Sequence, residues 1–101
     1  MEEVSDSEGL ERIIREAIVE RRVLFARYHD VERTIEPHIL GYDRNDHLAL
    51  SAWQVAGTGA GWRRFHLDEV MELKPTNSRF LRAAPGYNRR DPSFRRVIQQ
   101  V

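Results

Sequence analysis

A mainly β fold is predicted: a small antiparallel barrel of the Sm-like or SH3-like kind, partly open, with about five strands between an N-terminal and a C-terminal helix. Three observations carry this expectation. The apolar period is helical over residues 10–18, switches to alternation at Arg21-Arg22, and turns helical again after Asp91. Clusters of turn-forming residues cut the alternating region into short pieces. The 101 residues are enough for one domain with one modest core and too few for two.

The elements follow in chain order. Residues 1–9 are acidic and polar and read as a disordered leader, although Ser5 with Glu8 fits a capping box and marks a helix start nearby. Leu10, Ile13, Ile14, Ala17 and Ile18 then form one apolar stripe of an amphipathic helix. In the first strand Leu24, Ala26 and Tyr28 share one face, with Phe25, Arg27 and His29 on the other. Asp30-Val31-Glu32 is a plausible hairpin connection to a second strand over residues 33–42. Pro37 lies inside that strand and cannot donate to a ladder, so the strand is at an edge or bulged near its middle. Asp43-Arg44-Asn45-Asp46 is a turn.

The third strand, residues 47–55, places Leu48, Leu50 and Ala52 on one face. Gly57-Thr58-Gly59-Ala60-Gly61 lacks the lysine and following helix of a phosphate loop and reads as a hairpin tip. The fourth strand, residues 62–67, turns Phe65 and Leu67 to the core. The fifth, residues 70–74, is expected to stop at Pro75. Residues 76–101 are read as an extension, with Phe80, Leu81 and Tyr87 to bury and a turn at Pro85-Gly86. Asp91-Pro92 is read as the N-cap and first position of a final helix that docks through Phe94, Val97, Ile98 and Val101.

Composition narrows the function. Sixteen basic residues balance 16 acidic ones, so no global field gathers nucleic acid or an anionic membrane, though a local patch remains open. Without cysteine there is no disulfide, thiolate nucleophile or thiolate metal site. The N-terminus is unlike a signal peptide and no apolar run reaches the roughly 18 residues of a membrane span, so a cytoplasmic protein is expected. His29, His38, His47 and His66 fall on separate strand positions without metal-motif spacing, so no metal and no cofactor is expected. Ser51 lacks a nucleophile elbow, and Asp68 and Glu69 are adjacent rather than facing one substrate, so no enzyme activity is expected.

What stands out is a cluster of cations and aromatics, with Gln54 among them, around the middle strands and the glycine loop: Arg33, Trp53, Trp62, Arg63, Arg64 and His66. Such a set stacks and neutralises a planar or anionic ligand. In the bland alternative the tryptophans close the barrel end and the arginines only lie along its surface, paired with carboxylates such as Glu36 or Asp68.

Over residues 10–75 the chain resembles the WYL domain family. The resemblance rests on Ala17-Ile18-Val19-Glu20-Arg21-Arg22-Val23 with the strand closing at Tyr28. It continues in Arg33-Thr34-Ile35-Glu36-Pro37 and in Arg63-Arg64-Phe65-His66-Leu67-Asp68-Glu69-Val70, and Pro85-Gly86-Tyr87-Asn88 with Asp91 is similar to the ending of a short stand-alone branch. It implies an Sm-like barrel that senses a ligand, often a nucleotide or nucleic acid, in bacterial transcription, phage-defence or CRISPR regulation, with Arg33 and Arg63 in contact with the ligand. His47-Leu48-Ala49 stands where the family carries its name-giving Trp-Tyr-Leu, and His66 and Glu69 stand at two arginine positions. Any nucleic-acid binding, including that of a single strand, is therefore expected to be weak and salt-dependent. A protein-interaction or homodimerisation module without a small ligand is the alternative.

Overall fold

The computed structural model describes residues 7–101. The apolar stripe becomes the buried face of helix α1 (Ser7–Glu20), where Leu10, Ile13, Ile14, Ala17 and Ile18 are all buried. At about 1.5–3 kcal/mol for each large side chain, this face binds the helix to the sheet far more firmly than intrinsic propensity would. Ser7–Gly9, assigned above to the leader, are helical. Residues 1–6, and with them the Ser5 capping box, lie outside the described residues.

The sheet consists of β1 (Arg22–Tyr28), β2 (Val31–Asp43), β3 (Leu48–Ala56), β4 (Gly61–His66), β5 (Val70–Arg79) and β6 (Phe94–Gln100), with a 3-10 turn, Leu67–Glu69, between β4 and β5. All pairings are antiparallel, in the order β4-β3-β2-β1-β5, and β6 adds to β2. The fold is thus mainly β, as expected, but the described residues form six strands and one α-helix, and the sheet ends at β4 and β5 without closing. Among the described residues no helix is long and apolar enough to cross a membrane.

The first hairpin turns at His29-Asp30, both at positive φ, with Tyr28 opposite Val31. This two-residue turn matches strand twist better than the longer connection expected through Glu32. Pro37 does sit at a bulge: the β2–β3 register shifts between Pro37 and Ile39. On the other side of β2, pairing with β1 ends at Ile35 and pairing with β6 begins at Ile39. The missing N–H of Pro37 therefore falls in a gap between two ladders, where it costs little.

Two strand ends differ from expectation. Strand β5 continues through Pro75, which lies opposite Leu24, because β5 is an outer strand with only β1 beside it. The Thr76 hydroxyl donates to the Val23 carbonyl at 2.7 Å across the register shift there. The C-terminal helix is replaced by β6. Asp91 accepts from the Ser93 N–H at 2.9 Å, closing a local turn instead of capping a helix. A helix of about ten residues is marginal by itself. The open edge of β2 at Ile39–Asp43 offers backbone bonds to the same residues.

The main core lies between α1 and the sheet and includes Leu24, Ala26, Tyr28, Ile35, Leu50, Phe65 and Leu73, with Ile98 and Val101 packed against it. A second cluster, Ile39, Ala49 and Phe94 with Tyr87 against it, attaches the C-terminal segment. Gly41 makes the β6 contact possible: a Cβ there would stand 2.3 Å from the Arg96 carbonyl oxygen and 3.0 Å from the Val97 Cα. Gly41→Ala is expected to destabilise the protein by about 1–3 kcal/mol. Hydrogen exchange should show protection lost first at residues 94–100, and unchanged protection there would contradict this role.

Candidate ligand-binding cleft

The β3–β4 register sorts the residues singled out in the sequence onto two faces. Trp53 opposite Trp62, Ser51 opposite Arg64 and Ala49 opposite His66 share one face, and Ala52 opposite Arg63 and Leu50 opposite Phe65 share the other. On the first face a cleft of about 320 Å³ opens between the sheet and the loop before β6. Ile39, Ser51, Trp62 and Arg64 line it on the sheet side with Arg63, and Gly86, Tyr87, Asn88 and Asp91 line the loop side.

The aromatic wall is fixed in place. The indole N–H of Trp62 donates to the Pro85 carbonyl at 2.8 Å, and its ring lies nearly parallel to Tyr87 at 6.1 Å. Trp53 meets Trp62 edge-on at 5.7 Å without lining the cleft itself. Behind this wall lies His38, fully buried, stacked on Phe80 and edge-on to Trp62 and Tyr87. Its Nδ1 sits 2.8 Å from the Glu36 carbonyl, which can only accept, so Nδ1 carries the hydrogen. Nε2 then accepts from the Ala84 N–H at 3.0 Å. Both nitrogens are satisfied only in the neutral ring, and burial lowers the His38 pKa from its ordinary 6.5. The Pro85-Gly86 turn, expected from sequence, closes through the Tyr87 N–H to the Ala84 carbonyl at 3.2 Å.

The cations divide. Arg63 folds back along the glycine loop and donates to the carbonyls of Trp62 at 2.9 Å and Gly59 at 3.1 Å. Arg64 is exposed and lies 5.8 Å from the centre of the Phe94 ring. Neither forms an ion pair among the described residues.

Arg33 lies elsewhere. It is buried, and donates to Gln54 Oε1 at 3.1 Å and to the Tyr28 carbonyl at 3.1 Å, while its Nε has no partner. Its guanidinium also lies over the Tyr28 and Phe65 rings. The fully buried Gln54 donates in turn to Thr58 Oγ1 and the Gly59 carbonyl, so Arg33 and Gln54 together anchor the glycine loop. Gly57 packs against the Arg33 stem at a φ of 141° that side chains rarely adopt. The alternative reading from the sequence, a carboxylate partner at Glu36 or Asp68, does not hold for Arg33, whose partners are neutral.

His66 is outside the cleft too. It faces Asp43, with Nε2 3.6 Å from Oδ2, and its ring lies 4.9 Å from that of His47. The sequence reading kept the four histidines apart, whereas antiparallel pairing of β3 with β4 brings the start of one beside the end of the other. The signal available was the Asp43-to-His47 spacing across a turn. The closing of that turn by a buried aspartate was not visible.

No family model, curated protein or solved structure matches this chain.

Two outcomes follow from these contacts. Arg33→Ala would leave the buried Gln54 Oε1 without its donor and should cost about 1–3 kcal/mol in urea denaturation. For His38 the folded pKa lies below the unfolded one, so the unfolded chain binds the proton first. Its contribution to stability is complete above about pH 6.5 and declines as pH falls below that value. Melting temperatures of wild type and His38→Gln between pH 5 and 8 should differ in slope only on the acid side. Parallel curves would contradict the assignment.

Proposed function

We propose that this protein is a non-catalytic ligand-sensing regulatory module that holds a small anionic molecule with a planar ring, nucleotide-like or the end of a nucleic-acid single strand, in the cleft beside Trp62. The observation that carries the reading is the exposed Arg64, free of carboxylate partners among the described residues, beside the Trp62–Tyr87 wall in one cleft, with Arg63 at its rim. Its volume of about 320 Å³ lies within the range of small-ligand sites. A ring slides against the aromatic wall while the guanidinium groups meet its phosphate or carboxylate. The WYL resemblance supports the same class of ligand and a cytoplasmic regulatory role in a bacterium, and the strand order fits an Sm-like barrel opened between β4 and β5. In this reading Arg33 supports the site indirectly, through the glycine loop on which Arg63 rests.

A second reading is homodimerisation. Leu81 is 89% exposed and Val19 68%, and β4 and β5 leave the sheet open at both ends. A thermal-shift screen of nucleotides and short oligonucleotides, run beside a solution mass measurement, separates the two. Ligand binding should raise the melting temperature of the wild type, less so at higher salt. Arg64→Ala should remove that shift while leaving the unliganded melting point nearly unchanged, because Arg64 is exposed. A dimer mass with no shift from any compound would favour the second reading.

A further inference from the structure

We infer that Asp43, His47 and His66 form a binding site for one divalent first-row transition metal of the zinc class, separate from the cleft. The three side chains come from the end of β2, the residue before β3 and the end of β4. Asp43 Oδ2 lies 3.6 Å from His47 Nδ1 and 3.6 Å from His66 Nε2, and the three atoms lie within 4.8 Å of one another. Those separations are long for hydrogen bonds. They are close to the about 3.4 Å that separates ligand atoms sharing a tetrahedral ion at about 2.0–2.1 Å from each.

The aspartate is built for this use. Its side chain is 6% exposed, and Oδ1 accepts the N–H groups of Asn45 and His47, each at 2.9 Å. The turn thereby fixes the carboxylate and leaves Oδ2, with no hydrogen bond among the described residues, aimed at the two imidazoles. His66 is positioned from behind. Its Nδ1 lies 3.6 Å from Glu69 Oε2, and Oε1 of the same carboxylate is held by His29 and, at 3.4 Å, by the Tyr28 hydroxyl. A carboxylate behind a ligating histidine orients the ring and raises its basicity.

Two imidazoles and one carboxylate favour zinc, cobalt or nickel over magnesium or calcium, which prefer oxygen alone. His47, at 53% side-chain exposure, leaves the site open to solvent, so a fourth position remains for water or an outside ligand.

The test is calorimetric titration of the full-length, untagged, chelator-treated protein with zinc chloride, with cobalt absorption as a second readout. One equivalent should bind, cobalt should give the intense visible bands of a four-coordinate site, and magnesium should give no heat. His47→Ala removes an exposed ring while keeping its backbone N–H, and Asp43→Asn keeps the oxygen that closes the turn. Each should weaken zinc binding by about a hundredfold, with the metal-free melting point of His47→Ala unchanged. Glu69→Gln should weaken it by about tenfold, and His29→Ala, outside the ligand set, by less than His47→Ala. Absence of zinc heat in the wild type, retention of binding in both His47→Ala and Asp43→Asn, or equal loss in His29→Ala and His47→Ala would overturn the inference.

Discussion

At Pro37 the longest strand of the sheet has no backbone N–H to give, and at His38 its register with β3 slips by a residue. β2 uses this interruption to serve two partners on one side: β1 before the break and β6 after it. The His38 ring fills the space that the bend creates, and its two nitrogens join Glu36 on its own strand to Ala84 in the loop that follows β5. Its carbonyl accepts from Val101 at 2.9 Å, so the same residue also holds the chain end. Placing the C-terminal segment over the outer face of β2 and β3 is what creates the cleft. Trp62 and Tyr87 face each other across a junction that this histidine supports.

A buried arginine without a carboxylate would normally be a costly feature. Here its charge is spread over neutral acceptors and the faces of Tyr28 and Phe65. Gln54 converts that arrangement into loop geometry, because its amide reaches Thr58 and Gly59. Gly59 in turn accepts from Arg63. A chain of hydrogen bonds thus runs from the core to the rim of the cleft. It explains how a loop with three glycines can present a cation in a defined place.

The carboxylate–imidazole series at the other end of β4 has a different character. Asp43, His66, Glu69 and His29 alternate in charge type, and hydrogen bonds from His47 and Asn45 hold the Asp43 pKa below its usual value. The two arrangements share β4 but not their residues: Arg63 and Arg64 serve one end, His66 the other. A strand of six residues therefore carries two kinds of polar chemistry, one toward each end, while Phe65 turns to the core on the opposite face.

The helix stripe, the alternation of β1, the bulge at Pro37, the Asp43 turn and the Pro85-Gly86 turn were all legible in the sequence, because each depends on residues a few positions apart. The face of Phe65 and Leu67 was legible for the same reason. The tertiary structure decided what depends on distant partners. Residues 91–101 carry a helical apolar spacing, yet Phe94–Gln100 form β6 because β2 presents an open edge whose backbone bonds a short helix cannot match. Arg33 reads locally as a rim cation, and only the packing of Gln54 and Tyr28 around it makes it a core residue. His47 and His66 are 19 positions apart in the chain, and the β3–β4 register alone brings them to the same carboxylate. Local pattern fixes which face a side chain takes, whereas its neighbours on that face are set by which strand supplies the adjoining hydrogen bonds.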